Sequence, residues 1–503
     1  MNIPAPLRSA ALAWLALALP RVTTGQLPGS LAADRARLAQ LAGGGARAES
    51  LLIIRDSARM LFRQRSAPRG TAWSVVAPET RVTWNSAIPY SLNDGPLWAG
   101  RGWNMSVTGG VAVLQRYHGM NLRAVFAPAV FLSQNRPFQI FPNTVPGRSA
   151  FANPQHGPDA SLDWPLRFGD EHLLGFDLGR SAATAEWSRV SAGVSSEQEW
   201  WGPGIRSALV MSNNAGGIPR LFVRTTRPLH SRIGAVDAEL FAGALTQSRF
   251  FDATASENRS ISGLRVELRP SFDTSLTIGF TRVVYAPVGP DASPFTATLA
   301  RALDALTRWE NLATIGHQRS DQIGSVYVRS LIPSAGMEIY GEWARMALPE
   351  SVGELFSAPG YSGAWTFGTQ WLQPRRVRSF LRLQAELSYL EQSLVFRDRA
   401  TPDFYVGYGS PQGYTQRGQI IGAATGPGSS SQWFAGDWIT RRWQAGAFVG
   451  RTRWDNDALY RRVATFFDHD VSLFGGIRGA WRATLTDISA ELTVARRFNY
   501  LFQ

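Results

Sequence analysis

Through most of the chain, apolar and polar residues alternate one for one in segments of roughly ten residues, divided by Gly, Pro, Asn and Asp. Between Ser379 and Leu390, Leu381, Leu383, Ala385, Leu387 and Tyr389 fall on one face, with Arg382, Gln384, Glu386 and Ser388 on the other. Gly336 to Met346 repeats the pattern, setting Met337, Ile339 and Trp343 against Glu338, Tyr340 and Glu342. Trp443, Ala445, Ala447 and Val449 similarly oppose Arg442, Gln444, Gly446 and Gly450. Period two is the signature of a strand with one greasy and one wet face. Further runs are Trp103–Leu114, Asn121–Leu132, Leu221–Arg227, Ala235–Thr246, Ser260–Arg269, Ser275–Tyr285, Ser325–Leu331, Trp365–Leu372 and Ser472–Arg482.

In a soluble sandwich such greasy faces meet in a shared core; in an outer-membrane barrel they meet lipid, with aromatics near the strand ends. Two features favour the barrel. Arg and Glu occupy the wet faces of strand interiors, as a polar lumen permits. The C-terminus is itself an alternating strand, with Leu492, Val494, Phe498, Tyr500 and Phe502 against Thr493, Arg497, Asn499 and Gln503. Arg496 breaks the apolar face and is expected near a membrane interface. The expected fold is all-β, a large antiparallel outer-membrane β-barrel over residues 71–503. About ten residues per strand allow roughly 16 to 18 strands.

Three segments depart from that rhythm. Arg8 precedes the apolar run Ala10–Leu19, which Pro20 ends; this reads as a signal peptide over residues 1–25. Residues 26–70, rich in Ala, Leu and Arg, carry Leu31, Leu38 and Leu41 near helical spacing, a Gly43-Gly44-Gly45 break and an apolar Leu51–Ile54. They predict short helices at the periplasmic mouth. Residues 293–312 predict a helix within a loop. After the leader no apolar run is long enough for a transmembrane helix.

Composition sharpens this picture. The 503 residues include no Cys, which excludes disulfides, Cys-ligated metals and thiol nucleophiles. All 51 basic residues are Arg; without Arg8 and Arg21, 49 remain against 38 acidic residues, a net +11. Such basicity fits nucleic acid as well as acidic glycans and lipopolysaccharide phosphates, but an exported barrel does not meet nucleic acid.

Little catalytic chemistry is apparent. The six His are scattered with no zinc spacing, and there is no nucleophile elbow or phosphate-binding glycine loop, so no metal, cofactor or catalytic residue is assigned. Asp455-Asn456-Asp457 and Asp468-His469-Asp470 read as exposed turn residues. Asp170-Glu171-His172, or paired lumen carboxylates among Glu338, Glu342 and Glu386, would be the raw material of a hydrolase. Barrel interiors are ordinarily laced with such charges.

The densest local signals are Glu199-Trp200-Trp201-Gly202-Pro203-Gly204 with Ser212-Asn213-Asn214, and Gly413-Tyr414-Thr415-Gln416-Arg417 leading to Gly426-Pro427-Gly428. Aromatic faces stack on the C–H side of sugar rings, amides bond hydroxyls, and Arg forks onto uronate carboxylates. Girdle indoles and turn-shaping Gly-Pro runs account for the same residues, so composition leaves both readings open.

The stretch from Gln198 to Pro219 also resembles the signature of the capsule-assembly Wzi family. Gly100-Arg101-Gly102-Trp103 with Gly109-Gly110-Val111, Asp321-Gln322-Ile323 through Glu342-Trp343, and Gly413 to Gly428 resemble other parts of that family. Met346 and Ala347 replace an expected acidic residue, and Gly216-Gly217 loosens a turn; these departures bear on ligand identity. The resemblance implies an 18-stranded barrel with helices near its periplasmic end. It also implies a non-enzymatic surface lectin that helps hold capsular polysaccharide on the cell. Residue by residue it points to Trp200, Trp201, Asn213, Asn214, Tyr414 and Arg417 as polysaccharide-binding candidates. The expected partners are capsular or other acidic surface polysaccharide, outer-membrane lipid and lipopolysaccharide, with the chain a monomer. A diffusion channel is the alternative, and a surface glycan or lipid hydrolase a third reading.

Overall fold

The computed structural model describes residues 31–42, 71–157, 161–252, 257–289, 292–308, 320–349, 351–375, 379–392, 403–461, 468–483 and 486–503. The leader, most of the 26–70 segment and residues 309–312 of the loop helix lie outside them. The chain forms one large antiparallel sheet, in which successive strands bond from Thr71–Asn85 through to Asp487–Phe498. Three wall positions are each made of two collinear pieces: Met120–Phe126 with Ala129–Ser133, Leu173–Asp177 with Ala182–Trp187, and Arg220–Thr225 with Leu229–His230. The sheet's twenty strands thus fill seventeen wall positions among the described residues, against the expected eighteen or so. No helix among these residues is long and apolar enough to cross a membrane; strands do so instead.

The two-residue period sorts side chains as expected. In Ser379–Tyr389, Arg382, Gln384, Glu386 and Ser388 point inward and are buried, while Leu383 is exposed on the outer face. On the last strand Leu492 and Val494 face outward, and Arg496 stacks on Phe498 close to the strand end, 4.8 Å from the ring centre. Outward aromatics gather towards both ends of the wall. Trp73, Trp187, Trp371, Trp443 and Trp481 mark one end; Trp84 with Trp103 (6.3 Å) and Trp365 stacked on Tyr389 (5.7 Å) mark the other. Amphipathic rings sit where hydrocarbon gives way to headgroups, so the two girdles bracket the lipid-facing band.

The connections are strongly asymmetric. Those at one mouth are two to five residues long, such as residues 118–119 and 441–442; those at the other run from 11 to 40 residues. The segments of residues 196–219 and 403–429 fold into the lumen. There Trp201, Leu209, Val210, Met211, Tyr405, Tyr414 and Ile421 pack with inward wall residues such as Phe241, Tyr285 and Ile323. At the short-turn mouth the helix Leu31–Leu41 seats on inward charges: Asp34 accepts from Arg382 Nη1 (2.6 Å), Arg37 pairs with Glu338, and Gln40 accepts from Arg329 (3.1 Å). Arg37 also donates to Pro203 O (2.6 Å), so the loop tip and the helix meet inside the barrel. The lumen is filled from both ends.

Glu338 is buried among Arg37, Arg329 (2.7 Å) and Gln370. Glu338→Ala would leave two buried guanidinium groups without their carboxylate, at a cost of about 3–5 kcal/mol. The expected result is a folded barrel whose unfolding temperature in detergent drops clearly; an unchanged temperature would contradict this anchoring role.

Candidate functional site

The two sequence motifs lie inside the plug, and each short-range feature there has a local cause. Gly202 adopts φ +114°, and a Cβ at that position would lie 2.7 Å from Glu342 Oε2, so only glycine fits between the paired indoles and the wall. The following turn presents three successive N–H groups to one carboxylate. Ile205, Arg206 and Ser207 donate to Glu386 at 2.5, 3.0 and 2.8 Å, and Tyr340 Oη adds a fourth bond at 2.6 Å. Glu342 accepts from Leu209 N (3.1 Å) and Ser325 Oγ (2.9 Å). Glu338, Glu342 and Glu386, the carboxylates with hydrolase potential, are therefore engaged in holding the plug and the N-terminal helix.

Five of the six candidates are buried. Trp200 donates its indole N–H to Gly204 O (3.1 Å), and Trp201 donates to Glu199 Oε2 (2.7 Å) with its ring against Phe241 (5.4 Å). Arg220 pairs with that same Glu199 at 2.5 Å. Asn213 accepts from Gly95 N through its backbone carbonyl (2.8 Å). Asn214 donates to Ile420 O (2.9 Å) and accepts from Asn93 N (3.1 Å). Tyr414 Oη donates to Val210 O (2.8 Å), and burial pushes this hydroxyl well above its usual range, so it stays protonated. The two sequence motifs thus interlock: the 196–219 loop and the 413–428 segment satisfy each other's backbone.

Arg417 differs. It lies at the tip of the small hairpin Thr415–Gln416 and Gln419–Ile420, exposed, with Nη1 2.9 Å from Asp177 Oδ2. The adjoining Gly418 packs against Phe168. Phe168 in turn touches Trp98 (4.9 Å) and Phe250 (5.6 Å), and Phe250 meets Phe151 (5.8 Å). Exposed Arg249 lies over Phe250 at 4.9 Å. Trp98, Phe168 and Phe250 are each half-buried, so a row of aromatic rings reaches the surface between Arg249 and Arg417. These residues come from four different long loops. No motif or spacing in the sequence marks Trp98, Phe168, Arg249 or Phe250; the run Arg249-Phe250-Phe251 is the one local hint.

Asp455, Asn456, Asp457 and Asp470 are buried, contrary to the exposed turns expected. Asp470 accepts from Arg497 Nε and Nη2 (2.7 Å each) and from Leu501 N (2.8 Å), tying the chain end to the wall. Asp455 Oδ2 lies 3.0 Å from His156 Nε2, and Asp457 accepts from Gln392 N (2.9 Å). They join loops. Asp170 pairs with Arg167 at the loop surface. Among the described residues no three His, Asp or Glu side chains gather as a metal cage.

A lipid-facing antiparallel wall, aromatic girdles and a lumen plugged by its own loops define a β-barrel of the bacterial outer membrane. The family described as Capsule assembly protein Wzi matches residues 152–439, and the chain belongs to that family. Its fold is similar to that of Wzi from Escherichia coli, a carbohydrate-binding outer-membrane β-barrel involved in group 1 capsule assembly. The TM-score is 0.55 at 11% identity, covering 88% of this chain and 84% of that one. Weaker likeness extends to OccAB2 of Acinetobacter baumannii, with TM-score 0.38, 8% identity, and 79% and 86% coverage. No curated protein sequence matches this chain.

Glu386→Ala removes the common acceptor of the plug turn. With charged hydrogen bonds contributing about 1.5–3 kcal/mol each, the loop should detach locally while the wall persists. Trypsin should then cut after Arg206, and current steps should appear in planar bilayers. A protease-resistant, non-conducting Glu386→Ala protein would contradict this.

Proposed function

We propose that this protein is an outer-membrane lectin that binds acidic capsular or other surface polysaccharide and helps attach or assemble it at the cell surface. The observation that carries the reading is the ring row Trp98–Phe168–Phe250 flanked by exposed Arg249 and Arg417. Half-exposed aromatic faces suit the C–H side of sugar rings, and guanidinium groups suit uronate carboxylates. The usual arrangement of such barrels, with short turns at the periplasm and long loops outside, supports a position of this surface outside the cell. Family membership supports the same reading. The filled lumen argues against a diffusion channel, and the commitment of the inward carboxylates to structural bonds argues against a hydrolase. The six candidates then divide by role. Arg417 meets the polymer; Trp200, Trp201, Asn213, Asn214 and Tyr414 hold the plug that presents it. The barrel works as a monomer, and outer-membrane lipid and lipopolysaccharide surround its wall.

Arg249→Ala with Arg417→Ala should weaken binding of the organism's acidic polysaccharide by up to about thirtyfold, as two solvent-exposed charged contacts of up to about 1 kcal/mol each would. Heat-dependent gel mobility should remain that of a folded barrel. Unchanged binding in a carbohydrate-affinity measurement would remove this surface from the site.

Trp200→Ala with Trp201→Ala should cost about 3–5 kcal/mol per deleted indole. Binding should fall only in step with new cleavage after Arg206. Lost binding with an intact, protease-resistant plug would instead place the indoles in direct contact with the polymer.

A further inference from the structure

Not every long connection enters the lumen. After the strand Leu276–Pro287 the chain forms the helices Pro294–Ala300 and Asp304–Thr307, which pack on the wall from outside. The register fixes this placement. Phe241, Arg265, Thr281 and Ser325 point inward, so the residues alternating with them, Ser260, Ser262, Arg282 and Gln322, point outward. All four are buried, and the helices account for it. Ser262 Oγ donates to Ala302 O (2.9 Å) and accepts from Ala305 N (3.2 Å). Arg282 donates to Ala305 O (3.0 Å), to Arg308 O and to Gln322 Oε1 (2.7 Å), while Thr298 Oγ1 donates to Gly243 O (3.3 Å).

An arginine on the outer face of a membrane barrel is costly unless its charge is met. Here it is met by carbonyls at the end of a helix. The helices replace what they cover: Phe295, Leu299, Leu303 and Leu306, at spacings of four, four and three, stand 62, 47, 54 and 45% exposed on their far side. The next long connection repeats the device. Arg345, outward at the end of the strand Met337–Arg345, is buried beneath the helix Val352–Ser357, whose Glu354 lies 3.4 Å away. That helix exposes Val352 (71%) and Phe356 (80%).

We propose that these outer helices form a collar immersed in the surrounding lipid leaflet, with Phe295, Leu299, Leu303, Leu306, Val352 and Phe356 against acyl chains. The occupant is lipid because the stripe continues the barrel's own lipid-facing surface. Exposed Val326 and Val328, on the strand Asp321–Ile332, and Trp365 and Phe367, on Gly363–Pro374, belong to the same outer wall. A short helix with an apolar stripe and a polar underside lies flat at a membrane interface. The collar lets the wall carry a polar, hydrogen-bonded patch near its rim without opening it to hydrocarbon.

The chain has no Cys, so single-cysteine variants are clean probes. Phe295→Cys, Leu303→Cys and Phe356→Cys, spin-labelled and reconstituted in phospholipid–lipopolysaccharide vesicles, should relax several-fold more with oxygen than with a water-soluble nickel chelate. Arg417→Cys supplies the aqueous reference. Labels that favour the nickel chelate to the extent Arg417→Cys does would overturn the proposal by placing the collar in water. Strong spin–spin broadening from a second copy would overturn it in favour of a protein interface. Because the readout needs no polysaccharide, its failure leaves the lectin reading untouched.

Discussion

Everything inside this barrel depends on how its inward charges are satisfied. A wall of this size encloses a polar face lined by Glu239, Arg265, Arg329, Glu338, Glu342, Arg382, Glu386 and Asp437, all nearly sealed from solvent. Charges in that position must be hydrated or matched. Some are matched within the wall, as Arg265 is with Glu239 (2.8 Å) and Arg382 with Asp437 (2.9 Å); others are matched from both directions, the helix Leu31–Leu41 bringing Asp34 and Arg37 from the short-turn mouth and the 196–219 loop a run of backbone N–H groups from the other. Arg37 joins the two by reaching Pro203 O as well as Glu338. The plug is therefore the counter-charge and counter-dipole of the wall, and this fixes its register inside the barrel.

The same logic inverted explains the outer surface. Where polar residues face outward, at Ser262, Arg282 and Arg345, a loop helix covers them and turns its own apolar side away from the wall. Inside and outside obey one rule: each face is capped by an element supplying what the medium does not.

The alternation that revealed the wall was legible because period two survives wherever one face is apolar. Strands such as Ser379–Tyr389 and Gly234–Thr246 lie close to their sequence-based bounds. Leu173–Asp177 is only five residues long, and Ala182–Trp187 and Val190–Ser195 are short and rich in Ala, Ser and Gly, so their contrast is weak and they do not stand out. The Trp200-Trp201 and Asn213-Asn214 motifs were visible, but burial is not: an indole stacked on sugar and one packed on Phe241 have the same letters. The ring row needs Trp98, Phe168, Phe250 and Arg417 from four loops, and no local pattern joins them. Asp455 and Asp457 look like turn residues because their loop partners, His156 and Gln392, are far away in sequence.

On the proposed reading the barrel acts through its outer rim, and the motifs inside the plug support that surface. The most direct measurement is the partition of surface polysaccharide between cell-attached and released fractions in a strain lacking this protein and after complementation. The account predicts a shift from attached to released polymer with the total unchanged. It also predicts reversal by the native chain but not by the Arg249→Ala, Arg417→Ala double variant. An unchanged partition in the deletion strain, or full rescue by the double variant, would contradict it.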